Sequence, residues 1–240
     1  MVVLLKTHVW SDNLENFAIK ILDQISQYNI DFYILMHTEN SKIFDEIKDT
    51  KIKKITLKFT EKEIRSIYKV GFYSMWLSNH WILMWFYRNC KCKYKYYWSM
   101  EYDVRISGDS VKIWLYPDTY DFLCVDKIHK NPNNIYNGYY VGGKLTESQK
   151  YHGYLQLARY SNTAMDYLNN SFEQGENGQD ELIIFSLLKR SQLTLSSTFL
   201  QGLTKGTWTW ESKYSTYNRI LYEKEEKNND KNLAIFHPVK

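Results

Sequence analysis

The amino-acid sequence predicts an α/β fold, in which a mostly parallel central sheet is flanked by helices. Three observations favour this class. Apolar stretches of strand length recur through the first half of the chain, amphipathic stretches of helix length separate them, and no repeat or linker divides the 240 residues. Such alternation is typical of parallel sheets that helices cover on both faces. The chain is also long enough to bury one sizeable core.

The first half alternates between the two kinds of element. Residues 2–10 and 30–38 are predicted as buried strands, separated by a helix that begins at a capping-box pattern of Asp12 and Glu15. Further elements follow in order: a short helix near 41–48, a strand over 51–59, a helix opened by a capping box of Thr60 and Glu63, a long apolar helix over about 72–89, and a strand over 95–100.

The second half is less regular. The patterns predict a strand over 120–126, a turn-rich stretch over 131–144, helices over 162–172 and from about Asp180 to Arg190, a polar loop over 173–179, and a charged surface loop over 224–230. The last residues, 232–240, are apolar and end in the sequence HPVK.

Composition limits the classes of function. Hydrophobic residues make up 44% and charged residues 24%, as in ordinary globular proteins. The net charge of +4 is small for a nucleic-acid binder, which more often carries a strong basic stripe, and it suits an anionic small molecule equally well. The aromatic content of 17% suits a protein that faces sugars or bases, because flat rings offer contact area at low entropy cost.

The cysteines and the apolar stretches bear on location. Cys90, Cys92 and Cys124 do not make an even disulfide framework, so a reducing compartment is expected. Cys90 and Cys92 could be half of a metal site, but no second Cys/His pair has matching spacing. The start lacks a signal-peptide pattern, and the apolar run 72–87 is shorter than a bilayer needs. The sequence therefore predicts a soluble, cytoplasmic protein.

Two acids follow the aromatic run of the fourth strand, in the segment YYWSMEYD at 96–103. In an extended segment, residues i and i+2 project to the same side, so Glu101 and Asp103 can meet one cation. Ligands bind beyond the carboxyl ends of the strands in such sheets, and carboxylate oxygens suit Mg²⁺ or Mn²⁺. The alternatives are a solvated strand end and an ion pair with Arg105. The position at the strand end favours a metal site.

Three segments resemble the GT-A class of nucleotide-sugar glycosyltransferases: YYWSMEYDV at 96–104, GENGQDELIIFSLL at 175–188 and AIFHPVK at 234–240. The resemblance covers most of the chain and implies a GT-A-like fold, with a Rossmann-like donor half and an acid-x-acid metal motif after the fourth strand. Glu101 departs from the pattern, since the family more often has Asp there. Because the last acid is the main metal ligand in many members, Asp103 ranks above Glu101.

The resemblance also implies an organisation and an activity. A single domain would have a nucleotide-sugar donor half at 1–105 and an acceptor half at 106–240. The enzyme would move a hexosyl or pentosyl group from a nucleotide-diphosphate sugar to a hydroxyl of a glycan acceptor, with Mn²⁺ or Mg²⁺ bound. A divalent ion would stabilise the charge of the departing diphosphate, and a carboxylate would accept the proton of the incoming hydroxyl.

Residues from the two later segments are given roles by the same resemblance. Asp180, or its neighbour Glu181, would be the base, although acids in a first helical turn are also favoured by the helix dipole. His237 would complete the metal shell or touch the diphosphate, and an imidazole ligand would favour Mn²⁺. The alternative is that His237 is an ordinary packing or surface residue. Lys240 could reach a phosphate as a point charge.

Contacts to the nucleotide are implied near the first strand. Thr7, His8 and Val9 follow that strand, where the family binds the base and ribose, and Tyr102 within the acid motif is assigned to the same site. Arg65, near the start of a helix, is a candidate diphosphate or base contact, or else a solvated side chain.

Contacts to the sugars are implied in the second half. Gly142 and Gly143 could let the backbone approach the donor sugar, or they could be ordinary turn glycines. Trp208 and Trp210 alternate like strand residues, and either could offer a stacking face to an acceptor sugar or pack in the core.

Two other functions are compatible with parts of the sequence. A metal-dependent nuclease or phosphotransferase could use the same acids, but it would need further carboxylates or a lysine at defined spacing, which the sequence does not assemble. A non-enzymatic carbohydrate- or RNA-binding module would use the aromatic surplus and leave the acids unexplained. The expected partners are therefore a nucleotide sugar and a glycan acceptor, with no nucleic acid.

Overall fold

The fold was analysed in a computed structural model, which describes residues 1–39, 42–68, 74–75, 77–130, 140–141, 145–228 and 232–240. The strands are β1 (Val2–Thr7), β2 (Asp31–His37), β3 (Thr56–Phe59), β4 (Tyr96–Glu101), β5 (Arg105–Ser107), β6 (Phe122–Cys124), β7 (His129–Lys130), β8 (Tyr140–Val141), β9 (Tyr151–His152), β10 (Leu157–Ser161), β11 (Asn177–Gly178), β12 (Leu195–Ser196) and β13 (Ala234–Phe236). The α-helices are α1 (Asp12–Ile25), α2 (Thr50–Ile55), α3 (Glu61–Arg65), α4 (His80–Asn89), α5 (Val111–Trp114), α6 (Asn162–Glu173), α7 (Asp180–Arg190), α8 (Thr198–Leu203) and α9 (Ser215–Lys227).

Seven strands form the central sheet, in the order β12-β6-β10-β4-β1-β2-β3. β10 runs antiparallel to both of its neighbours, and the other neighbouring pairs of this sheet are parallel. The predicted α/β class with a mostly parallel sheet is therefore confirmed. Among the described residues, three two-stranded pairs lie outside this sheet, and one of them joins β13 to β5.

Helices cover both faces of the sheet. Successive side chains of a strand point to opposite faces, and β1 shows this clearly. Val2 and Leu4 pack in a cluster with α4, α6 and α7, whereas Val3 and Leu5 pack in a second cluster with α1, α2, α5 and α8. All six residues of β1 are buried, including a lysine, Lys6.

The order of the strands reverses at β1, because the chain proceeds from β1 to β2 and β3 on one side and places β4 on the other. In open sheets of this kind, the crevice beyond the carboxyl ends of the strands at such a reversal is the usual ligand site. Thr7 at the end of β1 and Glu101 at the end of β4 therefore stand at the mouth of this crevice.

The segment between β2 and β3 folds differently from its prediction. Over residues 42–48 the described backbone makes a turn at 43–46 and no helix, and the strand predicted to start at 51 begins only at Thr56. Residues 50–55 form α2 because the Asp49 carboxylate accepts hydrogen bonds from the backbone N–H groups of Lys51 (2.7 Å) and Ile52 (2.9 Å).

The two predicted capping boxes have different outcomes. The Thr60/Glu63 box is confirmed at the start of α3. The Asp12/Glu15 box is wrong, since Ser11 caps α1 by accepting from Leu14 N–H. Glu15 is buried and instead accepts from the Lys48 backbone N–H (2.8 Å), which ties α1 to the segment before α2.

Two further predictions are wrong about where a helix lies. The helix predicted over 72–89 begins at His80, and the described residues just before it are not helical. The Leu77 carbonyl accepts a hydrogen bond from the Asp180 N–H, so it is not part of a helical hydrogen-bond pattern. Residues 224–227 of the predicted charged loop belong to α9, whose Tyr222 packs against Phe236 of β13.

Trp208 and Trp210 do not lie in a strand. Their neighbour Thr207 uses both its backbone N–H and its carbonyl in hydrogen bonds to the Asn218 side chain, so these groups are not available to a ladder. Of the predicted turn-rich stretch, residues 131–139 and 142–144 lie outside the described residues. None of the helices in the described part of the chain combines the length and apolar character required to cross a bilayer.

Candidate functional site

The acid motif lies where the central strand β4 turns away from the sheet. Glu101 is the last residue of β4, and a turn closed by the Val104 N–H on the Glu101 carbonyl (3.1 Å) places Asp103 beneath the crevice. The segment is thus a turn where an extended one was expected, yet both carboxylates still converge. Asp103 is buried and Glu101 is partly exposed.

The C-terminal segment brings a histidine to these acids. β13 pairs antiparallel with β5, with Phe236 opposite Arg105, and the Val239 N–H donates to the Asp103 carbonyl (2.8 Å). His237 Nε2 consequently lies 3.3 Å from Asp103 Oδ1 and 4.0 Å from Glu101 Oε2. One ligand atom from each of these three residues lies within 4.8 Å of the others.

The Asp103 carboxylate is ionised and only partly satisfied. Burial opposes its ionisation, but His237 and Lys240 outweigh burial and hold the pKa of Asp103 below its usual value. Lys240 Nζ stands 3.9 Å from Oδ2. Oδ1, although close to His237, receives no hydrogen bond of acceptable geometry from the described residues. A buried, charged oxygen without a donor is a fitting ligand for a cation.

Glu101, Asp103 and His237 are therefore able to hold a divalent metal ion. Two carboxylates and one imidazole offer oxygen and nitrogen donors. The nitrogen donor favours Mn²⁺ over Mg²⁺. Arg105 does not neutralise the acids through hydrogen bonds, because its Nη1 donates to the carbonyls of Tyr102 (2.6 Å) and Val104 (2.9 Å).

Asp180 stands on the other side of the crevice, as the first residue of α7. Its carboxylate is buried and accepts from the Glu181 N–H (2.8 Å) and Gln179 Nε2 (2.9 Å). Burial raises the pKa of Asp180 to about 7, with Glu101 adding to the rise and Lys6 opposing it. A carboxyl group with this pKa can exchange a proton near neutral pH.

A single cavity of about 860 Å³ joins these groups. The predicted site residues on its lining are Thr7, His8, Glu101, Tyr102, Asp103, Asp180, Glu181, Trp210, His237 and Lys240. Trp210 is 69% exposed, which is unusual for a tryptophan and leaves one of its faces open to a ligand.

Other predicted site residues are not on this lining. Val9 is exposed beside the cavity, and Arg65 bonds Glu61 on the surface of α3. Trp208 lies behind the cavity wall, where its ring centroid is 5.2 Å from that of His237. Gly142 and Gly143 lie outside the described residues.

The cavity also contains polar residues that sequence patterns did not single out. Lys6, Asn79, Gln156 and Gln179 line it; Asn79 Nδ2 donates to Glu101 Oε1 (2.7 Å), and Gln156 Nε2 donates to Glu181 Oε1 (3.2 Å). Lys6 carried a usable signal, since a lysine inside the otherwise apolar run VVLLKT is rare without a charged partner. Asn79, Gln156 and Gln179 had no such signal in the sequence, because the role of each amide depends on neighbours that are distant in sequence.

No protein-family model matches the chain, and no curated protein sequence matches it. Solved structures do show similarity. They include the galactosyltransferase LgtC in complex with donor and acceptor sugar analogues, with a TM-score of 0.46 and 10% identity over 79% of this chain and 70% of that one. The inositol-1-phosphate CTP transferase from T. maritima has a TM-score of 0.45 and 8% identity, over 81% of this chain and 83% of that one.

A further similar structure is S. aureus TarS 1–349 in complex with UDP-GlcNAc, with a TM-score of 0.39 and 10% identity, over 82% of this chain and 55% of that one. Because these TM-scores are below 0.5, the similarities carry no argument about the function of this chain.

Proposed function

We propose that this protein is a metal-dependent glycosyltransferase that moves a sugar from a nucleotide-diphosphate sugar to a hydroxyl group of a glycan acceptor. One observation carries the proposal. The ligand atoms of Glu101, Asp103 and His237 lie within 4.8 Å of one another, on the lining of a cavity that also contains a carboxyl group with a pKa near neutrality. The cavity lies where the strand order reverses, which is the usual ligand position in such sheets.

Glu101, Asp103 and His237 would hold Mn²⁺ or Mg²⁺. When bound, such an ion neutralises the negative charge that develops on a departing diphosphate. Lys240, whose ammonium group lies 3.9 Å from Asp103, would add a positive charge on the same side of the cavity. Thr7, His8 and Tyr102 line the adjoining wall and would contact the nucleotide.

Asp180 would act as the base. In direct displacement, the acceptor hydroxyl passes its proton to the Asp180 carboxylate while its oxygen bonds to the anomeric carbon, and the bond from that carbon to the diphosphate oxygen breaks. This route inverts the configuration at the anomeric carbon. Glu181 is the second candidate, since it lines the same cavity and is held by Gln156.

The two halves of the chain would divide the work. We assign residues 1–105 to the donor and 106–240 to the acceptor, with Trp210 as a stacking face for the acceptor sugar. The division is not complete, because His237 and Lys240 belong to the second half and contact Asp103 of the first half. A cytoplasmic location is part of the proposal, and three free cysteines support it.

Calorimetric titration with the common nucleoside diphosphates, with and without Mn²⁺, tests this function. We expect one of them to bind, and to bind more tightly with Mn²⁺ present. Mass spectrometry of products formed from the matching nucleotide sugar should then show a glycosylated acceptor and free nucleoside diphosphate. If none of the nucleoside diphosphates binds, with or without Mn²⁺, the proposal is contradicted. Release of a nucleoside monophosphate, with transfer of the sugar phosphate to the acceptor, would indicate a phosphotransferase, and metal-independent binding of RNA would indicate a binding module.

A further inference from the structure

Asn218 on α9 joins two segments that meet at the candidate metal site. Its side chain is fully buried, and each polar atom of the amide is used. Nδ2 donates to the carbonyls of His237 (2.9 Å) and Thr207 (3.0 Å), and Oδ1 accepts from the Thr207 N–H (3.0 Å). One side chain thus fixes the backbone of His237 and the backbone next to Trp208.

We propose that Asn218 is a positioning residue that holds His237 and Trp208 in the arrangement needed for metal binding, a role that rests on the proposed function above. Asn218 would touch neither the metal ion nor the sugars.

The orientation of the His237 ring explains why such a residue is needed. A metal-binding histidine is ordinarily oriented by a hydrogen bond from its second ring nitrogen. Among the described residues, His237 Nδ1 has no hydrogen-bond partner. The ring is instead fixed by its backbone, which Asn218 anchors, and by the Trp208 ring, whose centroid is 5.2 Å away.

The Trp208 side of the arrangement is equally constrained. Trp208 Nε1 donates to Gln156 Oε1 (3.2 Å), so the indole is held from both ends. Gly206, two residues earlier, has φ +74°, and a Cβ atom there would lie 2.3 Å from Asn218 Oδ1. Glycine at 206 is therefore required for the loop to approach Asn218 so closely.

The beginning of α9 anchors the end of the chain at a second point. Ser215 Oγ accepts a hydrogen bond from the Lys240 N–H (2.7 Å). Lys240 Nζ lies 3.9 Å from Asp103 Oδ2 and His237 Nε2 lies 3.3 Å from Asp103 Oδ1, so the backbone of both neighbours of this carboxylate is bonded to the first turn of α9. A disturbance of this turn should reach the metal site without altering Glu101 or Asp103.

The test compares Mn²⁺ and Mg²⁺ affinity in the wild-type protein and three variants, without substrate. Asn218→Ala removes the anchoring amide, and Gly206→Ala displaces it sterically. Ile220→Ala, at a position on the same helix that is 59% exposed, is the matched control. Circular dichroism and thermal unfolding establish that each variant is folded at the temperature of measurement.

We expect Asn218→Ala to weaken Mn²⁺ binding about tenfold and Mg²⁺ binding less than twofold, because an imidazole ligand contributes more to Mn²⁺. Gly206→Ala should act in the same direction, and Ile220→Ala should change neither. Should Asn218→Ala fail to fold, Gly206→Ala alone decides. If the folded variants bind Mn²⁺ as tightly as the wild type does, the positioning role of Asn218 is overturned, while the proposed function is unaffected. A wild-type protein that binds neither ion would overturn the proposed function, and this role with it.

Discussion

Lys6 and Glu101 are neighbours across β1 and β4, as partners in the parallel register at the carboxyl edge of the sheet. Lys6 is buried, although an ammonium group is costly to bury unless it is paired. Burial lowers the pKa of Lys6, and Glu101 and Asp180 oppose that shift. For Asp180, burial raises the pKa while Lys6 lowers it. The charge of Lys6 is thus linked to the protonation of the candidate base.

Replacing Lys6 with Met should raise the pKa of Asp180 further, because the cation that opposes the effect of burial is removed. The base must be ionised to accept a proton, so the rising limb of the pH–rate profile should move to higher pH, by about one unit or more. The profile of kcat against pH measures this. An unmoved limb in a folded Lys6→Met variant would show that Asp180 does not govern the rate, or that Lys6 does not act on it.

Asp180→Asn and Glu181→Gln separate the two candidate bases. If Asp180 is the base, Asp180→Asn should lower kcat by about 10²–10⁴-fold, the usual contribution of a positioned acid or base. Glu181→Gln should cost much less, because Glu181 would then not be the group that takes the proton of the acceptor. Both changes are isosteric, so each serves as the control for the other. The reverse order of effects would assign the base to Glu181.

Asp103→Asn should abolish most metal binding and lower sugar transfer by about 100-fold or more, since the charge that holds the ion is removed. The fold should persist, because the Asp103 carbonyl that accepts from Val239 is unchanged. Mn²⁺ affinity and initial rates give the comparison. Asp23→Asn, at an exposed position on α1, is the matched control and should leave both unchanged. Normal turnover by Asp103→Asn would exclude this carboxylate from the site.

Sequence patterns predicted the mostly parallel sheet and the position of Glu101 at the end of a strand, because both signals are local. Runs of apolar residues recur at strand length, and the acids directly follow the fourth of them. The helix at 50–55 was missed because the segment KIKKITLKF at 51–59 alternates in part and was predicted as one strand, while the start of the helix is determined by a cap at Asp49. The role of Asn218 could not be predicted, since it depends on carbonyls eleven and nineteen positions away.

Trp210→Ala should raise the KM for the acceptor roughly fivefold, which corresponds to about 1 kcal/mol of ring contact. Because the side chain is mostly exposed, stability should change little. Steady-state kinetics with the acceptor varied measure binding on the acceptor side of the cavity. Titrations with the diphosphate measure binding on the donor side. Tyr217→Ala, at another exposed aromatic position that is not on the cavity lining, is the control. Weaker diphosphate binding with an unchanged acceptor KM would place Trp210 on the donor side.

His80 should make the fold sensitive to acid. Its ring is buried 5.1 Å from the ring of Phe172, and burial lowers its pKa from 6.5 to about 3. Between these values the unfolded chain binds the proton and the folded protein does not. The stabilisation is therefore fully present above pH 6.5 and is lost as the pH falls towards 3, by up to about 1.4 kcal/mol per pH unit. The free energy of unfolding, measured by urea titration at several pH values between 4 and 7, should fall less steeply with decreasing pH for His80→Phe than for the wild type. Equal slopes would show that the wild-type histidine is protonated in the folded protein.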